Sequence, residues 1–368
     1  MTAINGKKIS HCTNNNRETM KETELDGIQG SLVEATRNNM GSGKRIVDSF
    51  GRPHSYLRIS LTDRCNLRCF YCMPEEGVEL IDKPNIMTTE EIFTISRTFI
   101  DLGVDTIRLT GGEPLIRKDF EQLVRELIGM GVKLKLTTNG ILLDRYFDLF
   151  QEVGLKNVNI SLDSLDKARS VFITKRDYFD QIMSNIQRAI DLDMHVKLNI
   201  VLIKGVNDSE ITDFIELTRN KKITVKFIEF MPFKGNHWDW SKGVSRDSIL
   251  DTVGAHFGTI LPMPNPKNST SVNYKVNGYV GSFGIISTIT HPFCSDCNRI
   301  RLTADGKMKY CLFANAETDL LNRVRKGLSI EDTILEAIQH KKFSRDGMDH
   351  KMEPDHYEHN RTMNSIGG

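Results

Sequence analysis

The stretch YLRISLTDRCNLRCFYC, residues 56–72, joins a strand pattern to three closely spaced cysteines. Its first seven residues alternate in polarity, as a half-buried β-strand does. Cys65, Cys69 and Cys72 follow, separated by three and then two residues, with no fourth cysteine nearby. A structural zinc site usually has four protein ligands, and a disulfide framework needs an even number of cysteines. Three thiols therefore predict a site with a position left for another ligand.

Beyond this strand, a short β-branched run, a loop, an amphipathic helix and a glycine recur as far as Met231. In the first helix, Thr88 and Glu91 have capping-box spacing and Gly103 follows the last turn. Strands that alternate with helices pair in parallel through right-handed crossovers, which predicts an α/β fold. About six units are too few for a closed eight-stranded barrel, so we expect a partial, open β/α barrel whose gap residues 245–340 cover. The predicted strands are 56–62, 106–110, 133–138, 157–163, 195–202 and 223–231.

The predicted organisation has four segments. Residues 1–44 form a leader rich in Asn, Glu, Thr and Gly, and residues 45–240 form the barrel. Residues 241–341 form a C-terminal lobe with three more cysteines, and residues 342–368 form a mobile tail that ends in Gly-Gly. The leader has three basic and no acidic residues up to Arg17, as in a mitochondrial transit segment, but acidic residues follow.

Charge and composition exclude two classes of partner. The 368-residue chain has 49 Lys and Arg against 48 Asp and Glu, a formal net charge of +1. This balance gives no sign of nucleic-acid binding or of attraction to a membrane surface. No apolar run is long enough to span a bilayer. We therefore expect no nucleic-acid partner and no membrane partner.

Six of the seven cysteines form two triplets, and Cys12 lies in the leader. The second triplet consists of Cys294, Cys297 and Cys311. Three thiolates can hold a four-iron cubane and leave one iron open to another ligand. Zinc is the alternative for each triplet, with His54 as the nearest further ligand for the first and His291 for the second. Free buried thiols are another alternative for the first triplet.

Seven motifs spread over residues 46–368 carry a resemblance to a known family. They are LRISLTDRCNLRCFYCMP, IRLTGGEPL, VNISLD, FIEFMPF, FCSDCNRIRLTADGK, CLF and the terminal IGG. In this order they resemble the radical S-adenosylmethionine superfamily and, within it, the GTP 3′,8-cyclases. The resemblance implies S-adenosyl-L-methionine as cofactor and two [4Fe-4S] clusters, one held by each triplet. Cofactor contacts are implied at Tyr71, Gly112, Ser161 and Met231.

Two residues of the GGEP motif have a physical reason beside the resemblance. Gly112 has no side chain, so the sheet edge can approach a ligand closely, although a tight turn explains it equally well. Glu113 either accepts a hydrogen bond from the ammonium group of the cofactor or, with Pro114, starts the next helix.

The resemblance also implies a nucleotide site and a functional tail. Substrate contacts are implied at Arg58, Arg108, Thr137, Lys204, Arg299 and Arg301. An arginine that points inward from a strand is costly unless an anion meets it. A triphosphate supplies that anion, and an internal carboxylate is the alternative for any single arginine. Catalytic roles are implied for Arg299, Arg301, Gly367 and Gly368. For the diglycine, a frayed end is the alternative.

The implied activity is that of a lyase that converts GTP to 3′,8-cyclo-7,8-dihydro-GTP, the first step of molybdenum cofactor biosynthesis. The adenosyl radical would take the ribose 3′-hydrogen, and the carbon radical would attack guanine C8. Expected partners are GTP, an electron donor, cyclic pyranopterin monophosphate synthase as the next enzyme, and a second copy of the chain in a homodimer. The expected location is the mitochondrial matrix, with the cytoplasm as the alternative.

Two other functions compete with this one. One is a different radical S-adenosylmethionine enzyme with an auxiliary cluster, such as a peptide-modifying maturase. The other is a zinc-stabilised binding protein without catalysis.

Overall fold

Twelve strands form one continuous sheet in a computed structural model that describes residues 43–73, 77–348 and 357–367. The strands are β1 (Tyr56–Ser60), β2 (Thr106–Thr110), β3 (Lys133–Thr138), β4 (Asn157–Ser161), β5 (His195–Leu202), β6 (Thr224–Glu229), β7 (Ile260–Pro262), β8 (Val272–Val276), β9 (Ser282–Ile286), β10 (Arg299–Leu302), β11 (Lys307–Lys309) and β12 (Thr318–Asp319). Their order is β12-β11-β10-β1-β2-β3-β4-β5-β6-β9-β8-β7. Each neighbouring pair from β10 to β9 in this order is parallel. The pairs β12–β11, β11–β10, β9–β8 and β8–β7 are antiparallel.

Helices connect the parallel strands. The α-helices of the described ranges are α1 (Thr89–Asp101), α2 (Phe120–Gly129), α3 (Phe147–Glu152), α4 (Lys167–Thr174), α5 (Phe179–Asp191), α6 (Ile211–Glu216), α7 (Arg246–Phe257), α8 (Leu321–Arg325), α9 (Glu331–Gln339) and α10 (Met363–Ile366). Short 3-10 turns lie at Lys83–Asn85, Pro114–Ile116, Leu143–Arg145, Asp208–Glu210, Trp240–Lys242, Cys294–Asp296 and Arg345–Gly347. None of the helices in these ranges has the length and apolar character needed to cross a membrane.

The six predicted strands are present with bounds that agree to within two residues, which confirms the α/β fold with an open sheet. The predicted cap of α1 also forms. The Thr88 side chain accepts a hydrogen bond from the Glu91 N–H, and the Glu91 carboxylate accepts one from the Thr88 N–H at 2.7 Å. Gly103 follows with φ of 99°, a conformation that a side chain would strain.

The later part of the chain extends the sheet at both edges. Strand β9 pairs with β6 and β10 pairs with β1, so strands from residues 260–319 flank the six repeated units. The sequence did not indicate this arrangement, because β1 and β10 are more than two hundred residues apart and no local pattern records which strands pair.

The core lies between the sheet and its helices. In β1 and β2 the apolar residues Leu57, Ile59, Ile107 and Leu109 are fully buried, and they belong to the same cluster as Phe99 of α1. A smaller second cluster combines residues of the loops after β6, β9 and β11 with residues near the end of the chain: Phe233, Ile289, Phe313, Met348, Tyr357 and Ile366.

Candidate active site

The polar face of the sheet lines a cavity of about 750 Å³. Residues that alternate with the buried apolar ones point into it, as Arg58 does between Leu57 and Ile59. Its wall also includes all six cysteines of the two triplets and the predicted cofactor residues Tyr71, Gly112, Ser161 and Met231. The structure thus brings most of the predicted site residues together from distant parts of the chain.

The first triplet lies in the loop after β1, and its thiols are half-buried and free. Burial raises the pKa of Cys65 to about 11 and that of Cys72 to about 12. Burial and the negative charge of Asp163 also raise the pKa of Cys69. A bound metal would supply the positive charge that these thiols need in order to ionise.

Gly112 packs the second loop directly onto the cysteine loop. Its N–H donates to the Thr62 carbonyl at 2.6 Å, and the next N–H, that of Glu113, donates to the Arg64 carbonyl at 2.8 Å. A Cβ at Gly112 would overlap the Arg64 carbonyl oxygen and lie 2.8 Å from that of Asp63. The structure therefore gives a backbone-packing reason for this glycine beside the predicted access of a ligand.

The Glu113 carboxylate is buried and already hydrogen-bonded to the protein. It accepts from the Leu115 N–H at 3.0 Å, the Thr138 hydroxyl at 2.8 Å and the Asn139 N–H at 2.7 Å. Burial raises its pKa to about 7. These contacts favour the structural alternative for Glu113, which caps the turn at Pro114 and ties the second loop to the third.

Tyr71 is oriented by a buried carboxylate. Its hydroxyl donates to Asp163 Oδ2 at 2.7 Å, and Asp163 Oδ1 accepts from the Val201 N–H at 2.9 Å. Burial raises the pKa of Asp163 to about 6. The ring is therefore fixed beside the carboxyl ends of β4 and β5, where Ser161 also lies.

Four cationic side chains form a row across neighbouring strands. Arg301 of β10 is in register with Arg58 of β1, Arg58 with Arg108 of β2, and Arg108 with Lys135 of β3. All four side chains line the cavity. Burial and the charges of Arg301 and Arg108 lower the pKa of Arg58, and burial lowers that of Arg301 to about 10. Such a row of like charges is suited to a polyanion.

Arg108 is held in this row by its neighbours. Its Nε donates to the Tyr56 hydroxyl at 2.6 Å, and its Nη1 donates to the Leu136 carbonyl at 2.9 Å and to Thr137 Oγ1 at 3.1 Å. The predicted substrate residue Thr137 thus lies on the cavity wall beside Arg108.

Three buried or half-buried lysines on the cavity wall were not singled out from the sequence. They are Lys135 on β3, Lys197 on β5 and Lys226 on β6. Burial and the charge of Lys197 lower the pKa of Lys226 to about 7. Each lysine stands between two apolar residues of a strand, as Lys197 does between Val196 and Leu198. That signal, already used for Arg58, could have identified them.

Lys204 is the predicted substrate residue that the structure does not bring to the cavity. Strand β5 ends at Leu202, and Lys204 lies in the loop beyond it with an exposed side chain. Its backbone N–H donates to the Lys242 carbonyl at 3.0 Å.

The second triplet lies at the opposite end of the strands from the first. Cys294 and Cys297 precede β10, whereas the first triplet follows β1, which runs parallel to β10. Burial raises the pKa of Cys311 to about 11. Burial also acts to raise the pKa of Cys297, but the charges of Lys341 and Arg299 outweigh it and lower this pKa. Arg299 Nη1 lies 3.7 Å from Cys297 Sγ, and its guanidinium lies over the Phe293 ring.

The histidines considered as zinc ligands do not complete either triplet. His54 is buried, and its ring nitrogens contact the Arg52 carbonyl at 2.9 Å and Lys341 Nζ at 2.8 Å. His291 is exposed and lies beside Thr290. Among the described residues, no three His, Cys, Asp or Glu side chains are placed to hold a single metal ion. An iron–sulfur cluster binds each thiolate through a different iron, so it fits more widely spaced sulfurs.

The end of the chain reaches the cavity. Met363 and Asn364 line it, and the Asn364 side chain donates to the Asp63 carbonyl at 3.0 Å. Arg301 Nη1 donates to the Gly367 carbonyl at 2.6 Å, and a Cβ at Gly367 would overlap the Thr110 hydroxyl. Gly368 and most of the predicted leader, including Cys12, lie outside the described residues.

Comparison with known proteins agrees with this arrangement. The family model described as "Radical SAM superfamily" matches residues 59–218, and the one described as "Molybdenum Cofactor Synthesis C" matches residues 223–346. Crystalline SuiB of Streptococcus suis, 14% identical, has a similar fold with a TM-score of 0.51 over 84% of this chain and 72% of that chain.

Two curated relatives are similar over most of the chain. Molybdenum cofactor biosynthesis protein 1 of Mus musculus is 47% identical over 309 residues, which cover 82% of this chain and 49% of that protein. The chain thus spans about half the length of this relative. GTP 3′,8-cyclase, mitochondrial, of Arabidopsis thaliana is 46% identical over 309 residues, which cover 82% of this chain and 79% of that protein. With both cysteine triplets and the ordered motifs in place, the chain belongs to the radical SAM superfamily and, within it, to the family of the GTP 3′,8-cyclases.

Proposed function

We propose that this chain converts GTP to 3′,8-cyclo-7,8-dihydro-GTP, the first step of molybdenum cofactor biosynthesis. The observation that carries the proposal is the row of Arg301, Arg58, Arg108 and Lys135, which lies midway along the strands between two cysteine triplets. A row of cations supports binding of a triphosphate. The name of the Arabidopsis relative supports GTP as that triphosphate.

The two ends of the cavity have different roles in this proposal. Cys65, Cys69 and Cys72 hold one [4Fe-4S] cluster, next to a site where Tyr71, Gly112, Ser161 and Met231 bind S-adenosyl-L-methionine. Cys294, Cys297 and Cys311 hold a second [4Fe-4S] cluster at the other end. When bound, the first cluster and the cofactor supply a one-electron cleavage that starts hydrogen abstraction from the ribose.

The side chains of the protein bind and orient the nucleotide. Arg58, Arg108 and Arg301 offer guanidinium groups to the phosphates, and Thr137 holds Arg108 in position. We add Lys197 to the substrate residues, because it lines the cavity and Lys204 does not. Arg299 lies beside Cys297, so it is suited to contact the base rather than the phosphates. A nucleotide that is bound in a fixed orientation has already lost the translational and rotational entropy that the reaction would otherwise cost.

We also propose the partners, the oligomeric state and the location of the enzyme. The enzyme receives its electrons from an electron donor and passes its product to cyclic pyranopterin monophosphate synthase. It works as a homodimer in the mitochondrial matrix. The name of the Arabidopsis relative supports the mitochondrion. The division into leader, barrel at 45–240, C-terminal lobe at 241–341 and tail at 342–368 also stays a prediction. In that tail, residues 357–367 have several buried side chains.

Anaerobic turnover tests the proposal directly. The reconstituted protein is incubated with GTP, S-adenosyl-L-methionine and a reductant, and its products are analysed by mass spectrometry. We expect 5′-deoxyadenosine together with the cyclised nucleotide. Iron analysis should give two four-iron clusters in the wild type and one in Cys69→Ala.

Two variants separate the roles of the triplets. Cys65→Ser should abolish 5′-deoxyadenosine, whereas Cys311→Ser should retain some of it but lose conversion of GTP. Equal loss in both variants would contradict this division, and zinc at the second triplet would contradict the proposal for that site.

A further inference from the structure

A buried lysine contacts the second triplet. Lys341 follows α9 and is 4% exposed. Its Nζ lies 3.5 Å from Cys297 Sγ, 2.8 Å from His54 Nε2 and 3.2 Å from the Arg299 carbonyl oxygen. Three contacts at these distances use all the donors that a charged lysine has.

Each of the three neighbours of Lys341 is an acceptor. His54 Nδ1 lies 2.9 Å from the Arg52 carbonyl and can only donate to it, so the proton is on Nδ1 and Nε2 accepts. A buried ammonium group is costly without an anion. The Asp48 carboxylate, which lies 3.8 Å from His54 Nε2, is already paired with Arg52 at 2.7 Å. The sulfur of Cys297 is therefore the counter-ion that Lys341 contacts directly.

The segment before β1 holds this contact in place. Arg52 Nη1 donates to the carbonyls of Cys294 at 2.6 Å and Phe343 at 2.8 Å, so it joins the second cysteine loop to the residues after Lys341. The same arginine presents the carbonyl that fixes the His54 ring. Lys341 thus has little freedom to turn away from the sulfur.

The first triplet has a different surrounding. Its sulfurs have uncharged side-chain donors nearby: the Asn139 amide lies 3.8 Å from Cys65 Sγ, and the Tyr71 hydroxyl lies within reach of Cys69. Buried carboxylates lie near it, since the charges of Glu113 and Asp163 raise the pKa values of Cys65 and Cys69, respectively, in addition to burial. Cations therefore act on Cys297 of the second triplet, whereas Cys65 of the first triplet has both Glu113 and Arg68 near it and Cys69 has Asp163.

We propose that Lys341 raises the reduction potential of the cluster held by the second triplet by donating a charge-assisted hydrogen bond to the Cys297 sulfur. The inference rests on the proposed function, because it requires an iron–sulfur cluster at that triplet. Reduction adds an electron to the cluster, and a positive N–H donor at a ligand sulfur stabilises the reduced form. A cluster with a raised potential is a weaker reductant. This contact therefore helps to leave the reduction of S-adenosyl-L-methionine to the cluster held by the first triplet.

Potentiometric titration followed by electron paramagnetic resonance tests the inference on the full chain with both clusters bound. In Lys341→Met the equilibrium constant for one-electron reduction of the second cluster should fall at least tenfold, which corresponds to a potential lower by about 59 mV. Lys341→Arg keeps the charge and should recover most of the loss. The potential of the first cluster should not change in either variant.

Lys309→Met is the matched control. Lys309 is as deeply buried as Lys341, but its Nζ donates to the Ala314 carbonyl, to Asn360 Oδ1 at 3.0 Å and to Glu317 Oε1 at 3.4 Å rather than to a sulfur. Both potentials should stay at their wild-type values in this variant. A similar shift in Lys309→Met would overturn the inference, because any buried lysine would then have the effect.

The iron content separates failure of this inference from failure of the proposed function. Absence of the second cluster from wild-type protein refutes the function proposed for that triplet, whereas two clusters with an unchanged potential in Lys341→Met refute only the role of Lys341. If Lys341→Met cannot hold the cluster, Lys341→Gln, a neutral donor, takes its place. It should show a smaller shift in the same direction, and an unchanged potential there overturns the inference.

Discussion

The cavity wall carries cations on neighbouring strands. Arg58 and Arg301 lie side by side on the paired strands β1 and β10, and Lys197 and Lys226 lie further along the same wall. Burial lowers the pKa of Arg301 to about 10 and that of Lys226 to about 7, because it removes water from the charged forms. The negative charge of a bound triphosphate would favour the charged forms of these side chains.

Replacement of Arg301 should weaken nucleotide binding. A charge-assisted hydrogen bond contributes about 1.5–3 kcal/mol, and about 1.4 kcal/mol corresponds to a factor of ten in Kd. Arg301→Ala should therefore raise the Kd for GTP at least tenfold, as measured by calorimetry without reductant. Arg299→Ala should do the same, and S-adenosylmethionine binding should not change.

The exposed Lys204 provides the control for this prediction, since it lies outside the cavity. Lys204→Ala should leave the Kd for GTP within about twofold of the wild type, well below the factor of ten that accompanies about 1.4 kcal/mol. If Lys204→Ala lost as much affinity for GTP as Arg301→Ala, GTP would bind to a surface other than this cavity.

His54 should make the cluster-free protein less stable in acid. Burial, together with the charge of Lys341, lowers the pKa of His54 from 6.5 to about 3 in the folded protein. Between these values the unfolded chain binds a proton that the folded chain does not, so the free energy of unfolding falls as the pH falls, by up to about 1.4 kcal/mol per pH unit. Chemical denaturation at pH 7.5, 6 and 5 should show a shallower pH dependence in His54→Gln. Equal slopes would mean that His54 titrates normally.

At the scale of elements, three loops at the carboxyl ends of β1, β2 and β3 behave as one unit. Gly112 and Glu113 donate backbone hydrogen bonds to the cysteine loop, and the Glu113 carboxylate accepts one from Asn139 in the third loop. Asn139 in turn contacts Cys65 Sγ and donates to Asn66 Oδ1 at 2.6 Å. The position of the first triplet therefore depends on residues from two other strands.

Substitution of Gly112 should disturb this unit. A Cβ at residue 112 would come within 2.6 Å of the Arg64 carbonyl carbon, which is backbone and cannot move without the cysteine loop. We expect Gly112→Ala to lower the free energy of unfolding by about 1–3 kcal/mol, as overpacking usually does, and to weaken binding of the first cluster. Denaturation and iron analysis would measure these effects.

Gly129→Ala is the matched control, because a Cβ there would meet no atom within 4 Å. Gly129 is the last residue of α2, so the substitution should be neutral or should stabilise the protein by up to about 1 kcal/mol. Equal destabilisation by both substitutions would argue against a specific contact at Gly112.

At the scale of the whole molecule, the end of the chain closes the wall of the cavity near the first triplet. Arg361 pairs with Asp305 at 2.8 Å and with Glu317 at 2.6 Å, which fixes the segment before α10 to the loops around β11. Ile366 is buried, and the Gly367 carbonyl accepts from Arg301. The tail thus contacts a residue that we propose to bind the substrate.

Deletion of Gly367 and Gly368 should affect turnover more than binding. The variant keeps the cation row, so the Kd for GTP should stay within about threefold of the wild type, less than about 1 kcal/mol. Conversion of GTP should nevertheless collapse, because a tail without side chains can enter a narrow site and order the reacting groups. Product formation and cluster content would be measured together. Wild-type turnover by the truncated protein would leave the tail with no part in the reaction.

The sequence by itself determined the six repeated units and the residue types of both cysteine triplets. These features depend on local patterns, such as polarity that alternates along YLRIS or the capping signals of α1, and local patterns survive without knowledge of the partner strand. The same alternation placed Arg58 and Arg108 on an inward face. It would have placed Lys197 there too, in preference to Lys204, which lies beyond the end of its strand.

Only the tertiary structure decided how these parts face one another. The register of Arg301 with Arg58 depends on the pairing of β10 with β1, and the parallel direction of that pair sets the two triplets at opposite ends of one cavity. The contact of Lys341 with Cys297 joins residues on different elements. Such pairings arise when distant segments bury a shared core, and the free energy that selects them is spread over many contacts that no single stretch of sequence contains.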